Sequence, residues 1–439
     1  MTKEEKQKLA KWVMDWALGN GAQEVKVTIF DSTSSSVEVR EEKIDKLEQA
    51  NQSGLSIRLL VDNKFSSHST NRLANRKELE RFINEAIAAT KFLSEDEFRR
   101  LPDPDLYYKG GGEDLKTYDA GFRGIDPQSK IDKVFAVERE VLGKDDRIIS
   151  VTASYSDRMS SQFMVTSNGF EGDSESTYYG LNASVSVKGG DARPQAYWSE
   201  SSLFHETLKT DNIGNTALER ALNKIGQGKI ESGEMPMIVE NRIAGQLLSP
   251  MISALYGSAL QQKNSFLIDK LNQKVASGKL TIVDDPFIIT GRGSALFDNE
   301  GLATKKRLVF ERGVLKTYYI DTYYGRKLRM EPTSGGTTNL VFEKGDKDLE
   351  GLIASLERGI FITGFNGGNS NGSTGDFSYG IEGFLIEKGR VAGPVSEMNI
   401  TGNMKQLWME LAEVGTDVYE ASSRRTPSLL FNNVDFSGI

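Results

Sequence analysis

Apolar residues alternating with polar ones recur along most of the chain: Val25, Val27, Ile29; then Val37, Val39; then Leu55, Ile57, Leu59. A period of two places every second side chain on one face, so each run reads as a separate half-buried strand. Similar runs follow at 149–157 (ISVTASYSD), 161–169 (SQFMVTSNG) and 181–189 (LNASVSVKG). The 43 glycines against 10 prolines supply the tight turns that such a chain needs.

Helical periodicity appears between these runs. Leu9, Val13, Trp16 and Ala17 share a face behind Thr2 and Glu5, which have capping-box spacing, and Gly19 is a stop. Further helices are predicted over 75–92, with Leu79, Phe82, Ile83, Ala86 and Ile87 in register, and near 128–142 and 215–225. The expected fold class is α+β, with N-terminal antiparallel sheets carrying helices and a β-rich, barrel-like C-terminal domain. The predicted units are an α+β domain over 1–95, a linker or covering loop over 96–126, a middle α+β domain over 127–230 and the β-rich domain over 231–439. Pro102, Pro104 and the glycines 110–112 mark the linker.

A net charge of −8 with no long basic run argues against direct nucleic-acid binding, which needs clustered Lys and Arg. Cysteine is absent, which excludes disulfides, thiolate nucleophiles and Cys-ligated zinc, and makes the cytoplasm the expected compartment. The charged N-terminus lacks the apolar stretch of a signal peptide, and no apolar run is long enough to span a membrane.

Chemistry-bearing residues are few. The two histidines are His68, in a polar turn or strand end, and His205, beside Glu206. Lys209 and Thr210 stand where a second zinc histidine would be needed, so both histidines read as hydrogen-bonded or surface residues. Asp284 and Asp285, or Asp298 and Glu300, are candidates for a carboxylate-bound metal, weighed against solvated or ion-paired turn residues. The glycine-rich segment 364–380 lacks the GK[ST] ending of a phosphate loop and reads as a flexible loop over a cleft. Over 242–260, Ile243, Leu247, Leu248, Met251, Ile252, Leu255 and Tyr256 form one apolar stripe, interrupted by Pro250. Either the helix kinks at Pro250, or a new helix starts there with Ser249 as N-cap.

The stretches 237–257, 265–286, 293–328, 373–408 and 426–438 together resemble the C-terminal domain of the TldD/PmbA family, also called putative modulators of DNA gyrase. Residues 54–70 add weaker N-terminal support. The resemblance implies a metallopeptidase family with two kinds of subunit. TldD-type chains carry HExxxH and a later cysteine and bind zinc; PmbA (TldE) chains lack them and pair with TldD. Here the two histidines of that motif fall on Ser249 and Ala254, and its glutamate on Pro250. Hydroxyl, methyl and pyrrolidine cannot replace imidazoles and a general base. The resemblance therefore implies a non-catalytic, metal-free subunit, with zinc only in a TldD-type partner and unfolded peptides as substrate. Residues Asn366, Gly367, Gly368, Thr374, Gly375 and Asp376 are the candidate cleft loop. Two alternatives stay open: an active hydrolase using an unrecognised carboxylate site, and a regulatory homodimer without a protease partner.

Overall fold

The computed structural model describes residues 1–438. Six strands, β1 (Glu24–Arg40), β2 (Lys43–Val61), β3 (Lys64–Thr70), β4 (Ile148–Thr166), β5 (Glu171–Val187) and β6 (Gln195–Ser202), form one antiparallel sheet ordered β3-β2-β1-β4-β5-β6. The first and middle units therefore share a sheet, joined where β1 pairs with β4 from Lys26↔Thr166 to Arg40↔Thr152. The runs at Val25–Ile29 and Val37–Val39 prove to be one 17-residue strand. Alternation is lost between them because the strand there crosses a polar belt, while its backbone pairing continues.

Four helices supply the cover of that sheet: α1 (Lys3–Gly19), α2 (Arg76–Thr90), α3 (Pro127–Arg139) and α4 (Ile213–Asn223). The capping box of Thr2 and Glu5 is formed, and Asn75 caps α2 by accepting from the Lys77 and Glu78 amides. Helices α1 and α2 bury Val25, Val27, Ile29, Leu55 and Ile57. Helices α3 and α4 bury Val37, Val39, Tyr155 and Tyr179 further along the same strands. The belt between these cores holds buried ion pairs: Asp31 with Lys6 at 2.9 Å, and Asp157 with Lys130 at 2.6 Å. Asp157 also accepts from the Ser35 amide and hydroxyl and from the Tyr155 hydroxyl, so its charge is fully engaged.

The C-terminal region contains β7 (Gly233–Val239), β8 (Ile282–Asp284), β9 (Arg307–Glu311), β10 (Val314–Leu315) and β11 (Leu340–Phe342). It continues with β12 (Arg358–Ser370), β13 (Asp376–Glu387), β14 (Arg390–Asn403), β15 (Leu411–Val414), β16 (Arg424–Arg425) and β17 (Leu429–Ser437). Strands β14-β13-β12-β7-β17 close into a five-stranded barrel through the β14–β17 pairing. A second sheet, β10-β9-β8-β11-β16, lies beside it. The apolar stripe over 242–260 divides into α5 (Asn241–Ser253) and α6 (Gly257–Gln261), which pack on the barrel core. Pro250 sits inside α5 and starts no new helix; the Ser249 hydroxyl donates to the Gly245 carbonyl one turn back instead of capping.

The segment 96–126 binds the sheet to the C-terminal region. Arg326, on α7 (Thr322–Leu328), donates to the carbonyls of Phe98, Arg100 and Leu101. Tyr108 and Ala303 exchange backbone hydrogen bonds with Gly301 and Leu106. At this junction the buried Lys26 ammonium donates to the Asn299 carbonyl and forms no ion pair with any described carboxylate. Burial, reinforced by Arg58, lowers its pKa to about 8, against the opposing pull of Glu300 and Asp298. The unfolded lysine keeps its proton up to its ordinary value of 10.5, so the folded state binds fewer protons between these values and gains stability as pH rises through that window. Replacing Lys26→Met is therefore expected to stabilise the chain by roughly 1–3 kcal/mol at neutral pH. In low-salt amine buffer its Tm advantage should shrink as pH rises from about 8 toward 10.5; a difference that does not change with pH contradicts this account.

Candidate functional site

Two adjoining clefts open between the N-terminal sheet and the C-terminal region. The first, of about 820 Å³, is bounded by Trp198, Glu200, Arg242, Arg292 and Tyr419. The second, of about 750 Å³, runs along Phe30, Ser32, Ser160 and Gln162 to the turn at Asp298 and Asn299. These sheet residues alternate with the ones under the helices, so the helix-free face of β1 and β4 forms the floor. Leu203 and Arg292 line both clefts and join them into one groove. Glu113, Asp114, Asp173, Glu175 and Asp298 line the second cleft with Arg292 as its one lining cation, whereas Asp31 at its edge is already paired with Lys6 and Asp173 with Lys3.

The start of α5 builds the first cleft. Arg242 donates to the Ser199 carbonyl and to Glu200, each at 2.7 Å, and lies 3.6 Å over the Trp198 ring. Tyr419 meets the same guanidinium at 4.6 Å. Arg220 approaches Trp198 at 5.2 Å and holds Glu240 through two 2.7 Å bonds. The indole, Arg242 and Glu200 are thus fixed by one another, which makes this wall rigid.

Further along α5 stand the motif positions Ser249 and Pro250, with Ala254 capping its C-terminus. Arg424 on β16 donates to the Ser249 hydroxyl and to the Gly245 carbonyl at 3.2 Å. A cation therefore occupies the place beside the first position, where a metal would be repelled. Ala254 is 2 % exposed and belongs to the barrel core, so the second position faces packed side chains and not the groove. Pro250 offers neither N–H nor carboxylate. These residues do not fit zinc, and no cysteine exists to add a ligand.

The remaining candidates are tied into local structure. Asp284 is buried, ion-paired to Arg307 at 3.1 Å, and accepts from the Thr338 amide. Asp285 pairs with Lys306 at 2.7 Å. Asp298 accepts from the Glu300 and Leu302 amides, and Glu300 accepts from the Thr322 amide and hydroxyl. Burial raises the pKa of both carboxyl groups. Among the described residues, no three His, Asp or Glu side chains gather closely enough to hold a metal ion. His68 bonds Ser66 at 2.9 Å, and His205 lies against Tyr179 with its Nε2 buried and without a partner.

The glycine-rich segment is a hairpin and not a loop over the groove. Asn366, Gly367 and Gly368 lie in β12 at a bulge, where Gly368 adopts φ +105 and pairs with Tyr379. Thr374 and Gly375 form the turn and Asp376 opens β13. Asp376 accepts from Thr374 at 2.7 Å and from Asn403 at 2.8 Å, which fixes the tip. Glycine here serves close backbone approach: a Cβ at Gly368 would stand 2.2 Å from the Ser378 carbonyl oxygen. None of these six residues lines either large cleft. Conversely, Trp198, Glu200, Arg424 and Tyr419 carry no local motif; only the tertiary fold brings them to α5.

Comparison with known proteins bears on this arrangement. The chain matches the PmbA/TldA metallopeptidase domain 1 over residues 26–90, the central domain over 121–225 and the C-terminal domain over 232–438. A Bacteroides thetaiotaomicron protein described as a putative modulator of DNA gyrase is 54% identical, with full coverage of both chains and a TM-score of 0.98. The metalloprotease PmbA homolog of Haemophilus influenzae is 28% identical over 94% of this chain and 92% of its own length. TldE from Thermococcus kodakarensis shares the fold at 22% identity, with a TM-score of 0.86 over 98% of this chain and 100% of its own.

Restoring the motif residues tests the reading of α5. The combined Ser249→His, Pro250→Glu and Ala254→His variant is expected to retain no zinc through desalting, as read by elemental analysis. Ala254→His alone should lower stability by about 1–3 kcal/mol or more, because the ring must enter a filled core. Stoichiometric zinc in the triple variant contradicts the geometry described for Ser249 and Ala254.

Proposed function

The chain belongs to the PmbA/TldD metallopeptidase family, and on that premise we propose that it is a metal-free, non-catalytic subunit of a two-component peptidase. The observation that carries the proposal is α5, with Arg424 on Ser249, proline in place of the base, and Ala254 turned into the core. Relatives named metalloprotease and TldD homolog make a zinc-bearing partner chain the natural complement. In this reading the groove receives an extended, unfolded peptide. Its floor is a sheet face, and the indole–guanidinium wall at Trp198 and Arg242 gives side chains a flat surface to pack on. The acidic second cleft favours peptides rich in Lys and Arg over acidic ones. The exposed tip at Asn366–Asp376 is assigned to the face that meets the partner, and the cytoplasm is the proposed compartment. No helix among the described residues is long and apolar enough to cross a membrane.

Purified alone and mixed with a TldD-type chain, the protein should be assayed against unfolded basic and acidic peptides. Hydrolysis is expected only in the mixture, lost on chelation, and faster for basic peptides. Chelator-insensitive hydrolysis by the lone chain at the rate of the mixture defeats the proposal and favours a carboxylate enzyme. A stable homodimer that excludes every TldD-type chain tested favours the regulatory reading.

A further inference from the structure

A small cavity of about 50 Å³ lies at the junction where Lys26 is buried, separate from the groove. It is lined by Lys26, Arg58, Arg99 and Arg100 against Glu24 and Glu300. Such an excess of cations is unusual in a chain of net charge −8. Lys26 and Arg58 are direct cross-strand partners on β1 and β2, so two like charges face each other on one side of the sheet. That pairing is repulsive unless an anion stands between them.

Neither carboxylate forms a direct ion pair with these cations, although Glu300 attracts Lys26 at longer range. Glu24 accepts from the Leu101 amide at 2.6 Å, and Glu300 from Thr322. Lys26 spends one N–H on the Asn299 carbonyl. Arg58 makes no hydrogen bond or ion pair with any described residue. Arg99 lies flat on the Tyr323 ring at 3.4 Å, and its nearest carboxylate oxygen, on Asp96, is 3.9 Å away. Arg100 reaches Asn63 with one nitrogen at 2.8 Å. Lys26, Arg99 and Arg100 are held by these contacts and Arg58 is exposed, so the cavity is ringed by cations with N–H donors that no described residue accepts from. One water needs roughly 10–15 Å³ on this measure, so the space suits a group of roughly three to five heavy atoms and excludes a peptide.

We infer that this cavity binds a tetrahedral oxyanion, either inorganic phosphate or the phosphate of a phosphomonoester, between Lys26, Arg58 and Arg99. Guanidinium groups suit phosphate oxygens in charge-assisted pairs, and a dianion resolves the Lys26–Arg58 repulsion. The site belongs to this chain alone and does not rest on the subunit role proposed above.

The test is calorimetric titration of the purified full-length chain with inorganic phosphate, glycerol phosphate and acetate at constant ionic strength and neutral pH. Phosphate is expected to saturate one site per chain, with acetate at least roughly tenfold weaker, having one oxyanion face and half the charge. Tighter binding of glycerol phosphate than of phosphate identifies a phosphomonoester as the ligand; equal or weaker binding identifies free phosphate. Arg58→Gln, an exposed change that leaves the core untouched, should weaken binding by about tenfold or more. Lys26→Met, which removes a buried charge without opening a cavity, should do the same. No saturable heat up to about 10 mM phosphate, or unchanged binding in both variants, overturns the inference and leaves the peptidase-subunit reading standing.

Discussion

The antiparallel pairing of β1 with β4 is the contact on which the rest of the molecule is organised. It joins residues 26–40 to 152–166, more than a hundred positions apart, along most of both strands. Closing so long a loop is costly, and the cost is recovered only because the paired strands bury two separate cores under two pairs of helices. Between those cores the same strands must cross a region where neither helix pair reaches. Asp31 and Asp157 fill it, each held by a lysine and by hydroxyl donors. Removing one partner from such a buried pair leaves an uncompensated charge, so the belt is costly to break. With the helices on one face, the other is left to meet the C-terminal region, and the groove follows.

Local signals read from the residues match the structure where a neighbour a few positions away decides the outcome. The Thr2–Glu5 capping box, the Asn75 cap and the apolar faces of α1 and α2 are of that kind. They fail where distant partners decide it. Residues 30–36 look like a break because Asp31 and Ser35 are polar, yet Lys6, Ser53 and Asp157 satisfy them within a continuous strand. The segment 364–380 looks like a loop because it is rich in glycine, yet those glycines allow β12 and β13 to approach within a bulged hairpin. The barrel-like character of the C-terminal domain is legible in its short strands and glycine turns, whereas the β14–β17 pairing that closes the barrel joins segments with no shared pattern.

The site divides in the same way. Ser249, Pro250 and Ala254 can be found by resemblance, and their inability to ligate zinc follows from residue type alone. Sequence carries no sign that Arg424 lies on Ser249 or that Ala254 faces the core, and these contacts turn a missing motif into a filled one. The three motif positions leave no open cavity, because Arg424 and the barrel core fill the space around them. Arg424 also ties β16 to α5, so the charge beside Ser249 has a structural task. The Trp198–Arg242–Glu200 assembly was equally hidden, since β6 and α5 are separated in sequence by the whole of α4.

The turn at 298–300 connects the groove with the basic cavity. Asp298 and Asn299 line the acidic cleft, whereas Glu300 lines the cavity on the other side, and Lys26 reaches across to the Asn299 carbonyl. Asp298 holds the turn through the Glu300 and Leu302 amides, with its second oxygen buried and unpartnered. Charge placed in the cavity acts on Lys26 directly and on Glu300 at short range, and both are fixed to the same few backbone groups that wall the cleft. A low-dielectric junction screens such effects poorly. The acidic groove and the basic pocket are therefore two faces of one wall, held together by the turn that Lys26 and Asp298 fix from either side.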